Sequence, residues 1–165
     1  MISEDFIQSM LVELLGCTVI WARQNGPKPK KPFAVLRLYA YRRDGLDEER
    51  FTSTQGVVEV RGDRVATLEV QYFGDNAQQM LIELEQSLQR PTIVERCFGA
   101  CVAFFDVKNI QDLTGLLDAA TYEERASIDF SVRFVVSTTD ETGYIDKITI
   151  NADGTNFTVG EDENG

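Results

Sequence analysis

The sequence predicts an α+β fold: an antiparallel or mixed sheet of five to seven strands with two or three helices packed on one face, an extended proline-rich arm and a long β-hairpin. Three observations predict it. Apolar residues recur at helical spacing in two stretches, Phe6, Ile7, Met10, Leu11, Leu14 and Ala77, Met80, Leu81, Leu84, Leu88. Strict alternation marks residues 33–41, 64–73 and 128–136 as strands with one buried face. Three prolines fall within six residues, at 27, 29 and 32, and forbid regular structure there.

Ser3 is placed to cap the first helix, Glu4 and Asp5 suit its positive end, and Gly16 ends it. Residues 19–22 read as a short strand. The arm follows at 23–33, extended and semi-rigid. At about 3.3 Å per residue the ten residues from Arg23 to Pro32 can reach up to roughly 33 Å, enough to cross onto another subunit. Residues 33–41 read as a strand with Ala34, Leu36, Leu38 and Ala40 on one face, and 44–49 as a polar loop. Strands 57–61 and 64–73 are expected to form a hairpin around Gly62-Asp63, a type II′ signal. Asp75 and Gln78 have the spacing of a capping box. Pro91 suits the first turn of a further helix and Gly99 its end. A short strand at 102–105 precedes a long hairpin over 107–136, its arms 107–118 and 122–136 joined near Ala119-Ala120. A last strand is expected at 144–150.

The chain has 165 residues, 43% hydrophobic and 26% charged, enough to build a core without staples. Residues 1–150 are read as one domain, and 151–165 as an acidic, disordered tail. Lys and Arg total 16 against 27 Asp and Glu, a net charge of −11. That balance disfavours sequence-independent nucleic-acid binding and a site on anionic membranes. It is uneven: residues 1–43 carry a balance of +4 and the remainder −15. A dipolar subunit can dock head-to-tail on its own copies or show different faces to two partners. No histidine is present, which excludes His-dependent triads, His-ligated metals and a His-based pH switch. No apolar run is long enough to span a membrane, and acids stand where a signal peptide needs bases. Three cysteines, Cys17, Cys97 and Cys101, form no disulfide framework, and a reducing intracellular setting is expected.

Motifs of cofactor and phosphate chemistry are missing: no P-loop, dinucleotide fingerprint, nucleophile elbow or EF-hand loop occurs. Arg61-Gly62-Asp63 is explained by the expected turn, and Cys97 and Cys101 by packing. Asn151, Asp153 and Thr155 offer alternating oxygens without the bidentate acid that calcium needs. Asp112, Asp118, Glu123 and Glu124 gather near one hairpin end and could in principle share acid and base roles. Acids in that position are ordinarily solvated. No catalytic residue, cofactor or metal is assigned. Arg23, Lys28, Lys30 and Lys31 make the arm basic between Trp21 and Phe33. An arm that grips a neighbouring protein explains them better than nucleic acid does.

Two stretches carry a resemblance. The first runs Trp21-Ala22-Arg23-Gln24-Asn25-Gly26-Pro27-Lys28-Pro29-Lys30-Lys31-Pro32-Phe33 into the next strand. The second is Ile110-Gln111-Asp112-Leu113-Thr114-Gly115-Leu116-Leu117-Asp118, followed by Glu123-Glu124-Arg125-Ala126-Ser127-Ile128-Asp129. In this order the chain, over roughly residues 5–136, resembles the tail-terminator (neck) proteins of tailed bacteriophages. The resemblance implies a non-enzymatic virion protein, made in the host bacterial cytoplasm. It implies a homohexameric ring that caps the head-proximal end of the tail tube, stops its growth, and joins it to the head connector or adaptor. In a contractile tail it would also anchor the last sheath layer, and DNA would pass through the lumen without sequence-specific binding.

By the same analogy Trp21, Gln24, Asn25, Pro27, Pro29 and Pro32 of the arm are candidate contacts to a neighbouring subunit or neck protein. Arg125 is a second candidate, expected to pair with Asp112, Asp118 or an acid of another subunit. Two alternatives stand beside this reading: a head–tail adaptor or head-completion ring, and, from another class, a small acidic ligand-binding module or carboxylate enzyme. Binding to tail tubes rather than portal-containing heads separates the first, and a monomer or dimer with a ligand pocket would mark the second.

Overall fold

In the computed structural model, which describes residues 4–51, 56–118, 121–143 and 147–160 (of 117, 118, 147, 152 and 157–160 the backbone alone), a helix opens the chain. This is α1 (Glu4–Leu15), followed by β1 (Thr18–Trp21), β2 (Phe33–Phe51), β3 (Val57–Phe73), α2 (Ala77–Leu88), α3 (Pro91–Gly99) and β4 (Val102–Phe105). Short strands β5 (Gln111–Asp112), β6 (Gly115–Asp118) and β7 (Thr121–Glu123) precede β8 (Arg125–Glu141), β9 (Lys147–Ala152) and β10 (Thr155–Gly160). The described chain is thus α+β, with three helices and a mixed six-stranded sheet. The sheet order is β1-β2-β3-β8-β4, with β5 also on β8. Strand β1 runs parallel to β2, and β4 and β5 run antiparallel to β8. The chain divides into two compact units, Met1–Leu46 with Gly62–Val136, and Asp47–Arg61 with Ser137–Gly165.

The core of the first unit forms where the helical stripes meet the alternating strands. From α1 it takes Ile7, Met10, Leu11 and Leu15, from α2 Leu81, Leu84 and Leu88, and from α3 Ile93 and Cys97. From the sheet it takes Ala66, Leu68, Val70 and Tyr72 of β3 and Ala126, Ile128, Phe130, Val132 and Phe134 of β8. Burial of these side chains is the main driving term for the fold. The ends of the helices behave as their residues require. Gly16 takes the left-handed φ of 62° that closes α1, its N–H bonded to the Val12 carbonyl at 2.9 Å. Pro91 sits in the first turn of α3, where a missing N–H costs nothing. The expected cap Ser3 lies outside the described residues.

Several expectations are corrected. Gly62-Asp63 is no hairpin: β3 runs unbroken through it, Gly62 is buried, and it lacks the positive φ that a type II′ turn demands. The polar stretch 44–49 is strand, not loop, because β2 continues to Phe51 with its second half mostly exposed. Exposed on both faces, it has no alternation to read. The connection between β2 and β3 instead ends at Gly56, with φ 74°. A Cβ there would run into the Gly143 backbone, and Thr142 donates to the Gly56 carbonyl from both N–H and Oγ1 at 3.0 Å. Asp75 and Gln78 form no capping box. The N-cap of α2 is Asn76, left-handed at φ 56° and without a side-chain cap bond.

The long hairpin over 107–136 is also broken up. Its first arm is only β5 and β6, because Asp112 Oδ1 accepts the Thr114 N–H at 2.9 Å and turns the chain between them. Strand β6 pairs with the short β7, while β8 runs on past 136 to Glu141. The joint at Ala119-Ala120 lies outside the described residues. The tail is not disordered over 151–160: β9 and β10 form an antiparallel hairpin in this stretch. Its two-residue loop is Asp153-Gly154, both at positive φ, the backbone of a type I′ turn. Of the strand expected over 144–150, residues 147–150 lie in β9, and residues 144–146, like the acidic 161–165, lie outside the described residues.

Phe130 is 1% exposed and reaches Phe104 edge-on at 6.2 Å between ring centroids. Phe130→Ala is expected to destabilise the protein by about 3–5 kcal/mol. Guanidinium unfolding followed by the single Trp21 measures it, and a loss under about 1 kcal/mol would contradict the assignment of Phe130 to the core.

Candidate functional site

In a strand, alternate side chains face opposite ways, so the residues between the core positions share the sheet's other face. On β3 these are Glu69, Gln71 and Phe73, on β2 Phe33, Arg37 and Tyr39, and on β8 Arg125 and Asp129. They are joined across three strands. Arg125 Nη2 donates to Gln71 Oε1 at 2.8 Å, and Gln71 Nε2 donates to Glu69 Oε1 at 2.7 Å. Arg37 Nε pairs with the other Glu69 oxygen at 2.8 Å, and its guanidinium lies 4.7 Å from the Tyr39 ring centroid. Tyr39 donates to Asp129 Oδ2 at 3.0 Å, and burial together with that bond pushes its phenol pKa up. Among the described residues these side chains are linked as a ladder across this face.

One end of the ladder is aromatic. Phe33 and Phe73 stack at 4.6 Å with only 6° between their planes. The Arg125 guanidinium stands 4.9 Å from the Phe73 centroid, and Lys28 Nζ is 5.6 Å from Phe73 and 5.7 Å from Phe33. Among the described residues, Arg125 Nε is buried without a hydrogen-bond partner. The arm, residues 22–32, is neither helix nor strand, and it ends on this stack. Lys28 and Lys31 both reach Glu123 Oε1, at 3.1 and 2.8 Å. Those two lysines, Lys31 first, hold the Glu123 carboxyl below the usual glutamate range. Gly74 is needed beside the arm, because a Cβ there would lie 3.0 Å from the Pro32 Cβ and 3.2 Å from the Tyr72 ring.

The strap from β5 to β8, residues 111–125, ties the same corner to α2. The Gly74 N–H donates to the Glu124 carbonyl at 3.2 Å, and the Asn76 N–H to the Glu124 carboxylate at 2.6 Å. A carboxylate from 48 residues away thus stands at the positive end of α2, where the sequence suggested a local cap. Leu113 N–H donates to the Arg125 carbonyl at 2.8 Å. An open groove of about 480 Å³ lies beside the strap, lined by Asn76, Ile82, Asp112, Thr114 and Glu124 among others.

The sequence-predicted residues separate into groups. Trp21 ends β1, half-buried against the core rather than standing in the arm. Gln24, Asn25 and Pro27 are exposed on the arm's apex, while Pro29 is half-buried and Pro32 packs near Gly74. The arm is not free to reach its full length, since its second half is held on its own chain through Glu123. Arg125 does not pair with Asp112: it stacks on Phe73 and bonds Gln71, while Asp112 is exposed and turned to Thr114. That Thr114 contact lowers the Asp112 carboxyl pKa. The side chain of Asp118 lies outside the described residues. Glu123, Glu124, Phe33 and Phe73 were missed as a group. The available signal was that a strand parity placing Ala34, Tyr72 and Ala126 inward puts Phe33, Phe73 and Arg125 together on the opposite face.

The family described as Phage neck terminator protein matches residues 2–161. A comparison with curated proteins returned no match.

Since its folded-state pKa is depressed, the Glu123 contact stabilises the arm at neutral pH and is lost as pH falls through that depressed value. Carboxyl NMR is expected to show Glu123 titrating below an ordinary glutamate, and Lys31→Ala is expected to move it back up. An identical titration in the variant would show that Lys31 does not hold the carboxylate.

Proposed function

The chain belongs to the phage neck terminator family, so its role is structural and its place is the tail or neck of the virion, and within that role we propose that it forms a ring on the head-proximal end of the tail tube. The ring, a homohexamer, ends polymerisation of the tube, and of the sheath where the tail is contractile, and offers its other side to the head connector or adaptor. The observation that carries this reading is the arm: a basic, proline-stiffened segment whose apex is exposed, on a chain of net charge −11. A basic arm on an acidic body favours heterologous contacts, which close into a ring when the rotation permits. The acidic balance also suits a lumen through which DNA slides, since unneutralised carboxylates repel phosphate.

The contacts proposed for the neighbouring subunit or neck protein are Gln24, Asn25 and Pro27 at the apex, with half-buried Pro29 just after it. Trp21 and Pro32 set the two roots of the arm. Asp112 and Asp118 belong to the strap, and Arg125 acts from beneath, as the guanidinium on which Phe73 stacks.

Light scattering at high concentration with negative-stain images is expected to show six-fold rings, alone or on added tail tubes. Arg125→Glu places a carboxylate on the Phe73 ring beside Glu123 and is expected to reduce ring formation several-fold. Binding to portal-containing heads but not to tubes would instead indicate an adaptor ring. A monomer indifferent to tubes and heads would overturn the proposal.

A further inference from the structure

We propose that Glu123 is a positioning residue that clamps the second half of the arm, so that the apex at residues 23–27 is presented in one direction before any partner arrives; its link to assembly rests on the ring reading above. Four observations converge. One carboxylate oxygen, Oε1 of Glu123, serves two lysines three residues apart on the arm. Glu123 is only 15% exposed although its lysine partners are 60% and 42% exposed. Its two partners leave the other arm cations untouched: Arg23 and Lys30 are exposed and have no ion pair among the described residues. Finally, Glu123 and its neighbour Glu124 divide two tasks at one corner, the first holding the arm and the second the N-terminus of α2.

The physical consequence is preorganisation. Ordering a free segment during docking costs conformational entropy, and a segment already held loses less. Three prolines, at 27, 29 and 32, have removed much of the arm's freedom, so a tether at its base directs the whole apex. The aromatic stack contributes a second hold on Lys28, but it bears no formal charge. The clamp is therefore chiefly electrostatic and its strength falls with salt.

Trypsin reads the clamp directly. It can cut after Arg23 and Lys30, whereas the Lys28-Pro29 and Lys31-Pro32 bonds resist it. Glu123→Gln is expected to speed cutting after Arg23 and Lys30 about three- to ten-fold, from the loss of two surface-type ion pairs. Wild-type cutting, normalised to a reference peptide, is expected to rise with salt, and Glu123→Gln cutting to be salt-insensitive. Glu124→Gln, which removes the charge at α2, is expected to leave arm cutting unchanged. Equal rates in wild type and Glu123→Gln, or equal salt dependence, would overturn the clamp. Faster cutting with undiminished ring formation would overturn its role in assembly. Wild-type protein that protects its arm as expected yet assembles on nothing would count against the ring reading and leave the clamp intact.

Discussion

The sheet has two faces, and the described helices α1, α2 and α3 pack on one of them. On that face β3 and β8 bury Leu68, Val70, Ile128 and Phe130 against α1, α2 and α3. The opposite face holds buried Phe33 and Phe73 beside half-buried charged and polar side chains, which is costly unless each polar group finds a partner. The ladder from Arg125 through Gln71 and Glu69 to Arg37 meets most of that demand, Arg125 Nε excepted. Each link is modest, since surface ion pairs contribute little singly. Their joint effect is to fix which rotamers the face presents.

That constraint explains why the arm lies where it does. Phe33 and Phe73 would leave an apolar surface at the ladder's end. Stacking on each other hides part of it, and the cations of Lys28 and Arg125 cover more while staying close to water. Once Lys28 is drawn to the stack, a carboxylate beside it gains two lysines. The strap supplies Glu123 at that point, and the same turn of chain supplies Glu124 to the exposed N–H of Asn76. Arm, strap and α2 thus meet at one corner, for electrostatic reasons traceable to two adjacent glutamates.

How much of this could be read from the sequence depended on whether the signal was local. The stripes of α1 and α2, Pro91 and Gly99 around α3, and the alternation of β3 and β8 are all local, and each element formed as its spacing implied. Gly62-Asp63 misled because a two-residue turn signal carries no information about a neighbouring strand that holds the chain straight. The tail misled for the opposite reason: Asp153-Gly154 between Ile148-Thr149-Ile150 and Phe157-Thr158-Val159 is a hairpin signal that its polar surroundings obscured. The corner itself was not legible. Glu123 meets Lys28 across 95 residues, and Glu124 meets Asn76 across 48, so no spacing rule connects them. Only strand parity hinted that Arg125 would leave the other acids for Phe73.

The same long-range pairing bears on what an arm can do in a ring. A fully flexible basic segment on an acidic chain would find carboxylates anywhere, including on its own subunit, and its contacts would carry affinity without direction. Committing Lys28 and Lys31 to a single internal acid removes two of the arm's four cations from that competition. What is left for a neighbour is a short stretch with Arg23 at one end and Lys30 between Pro29 and Pro32. Direction then comes from geometry and only the final attraction from charge. A closed ring needs this order of control, because every subunit must repeat the same rotation for the last contact to meet the first.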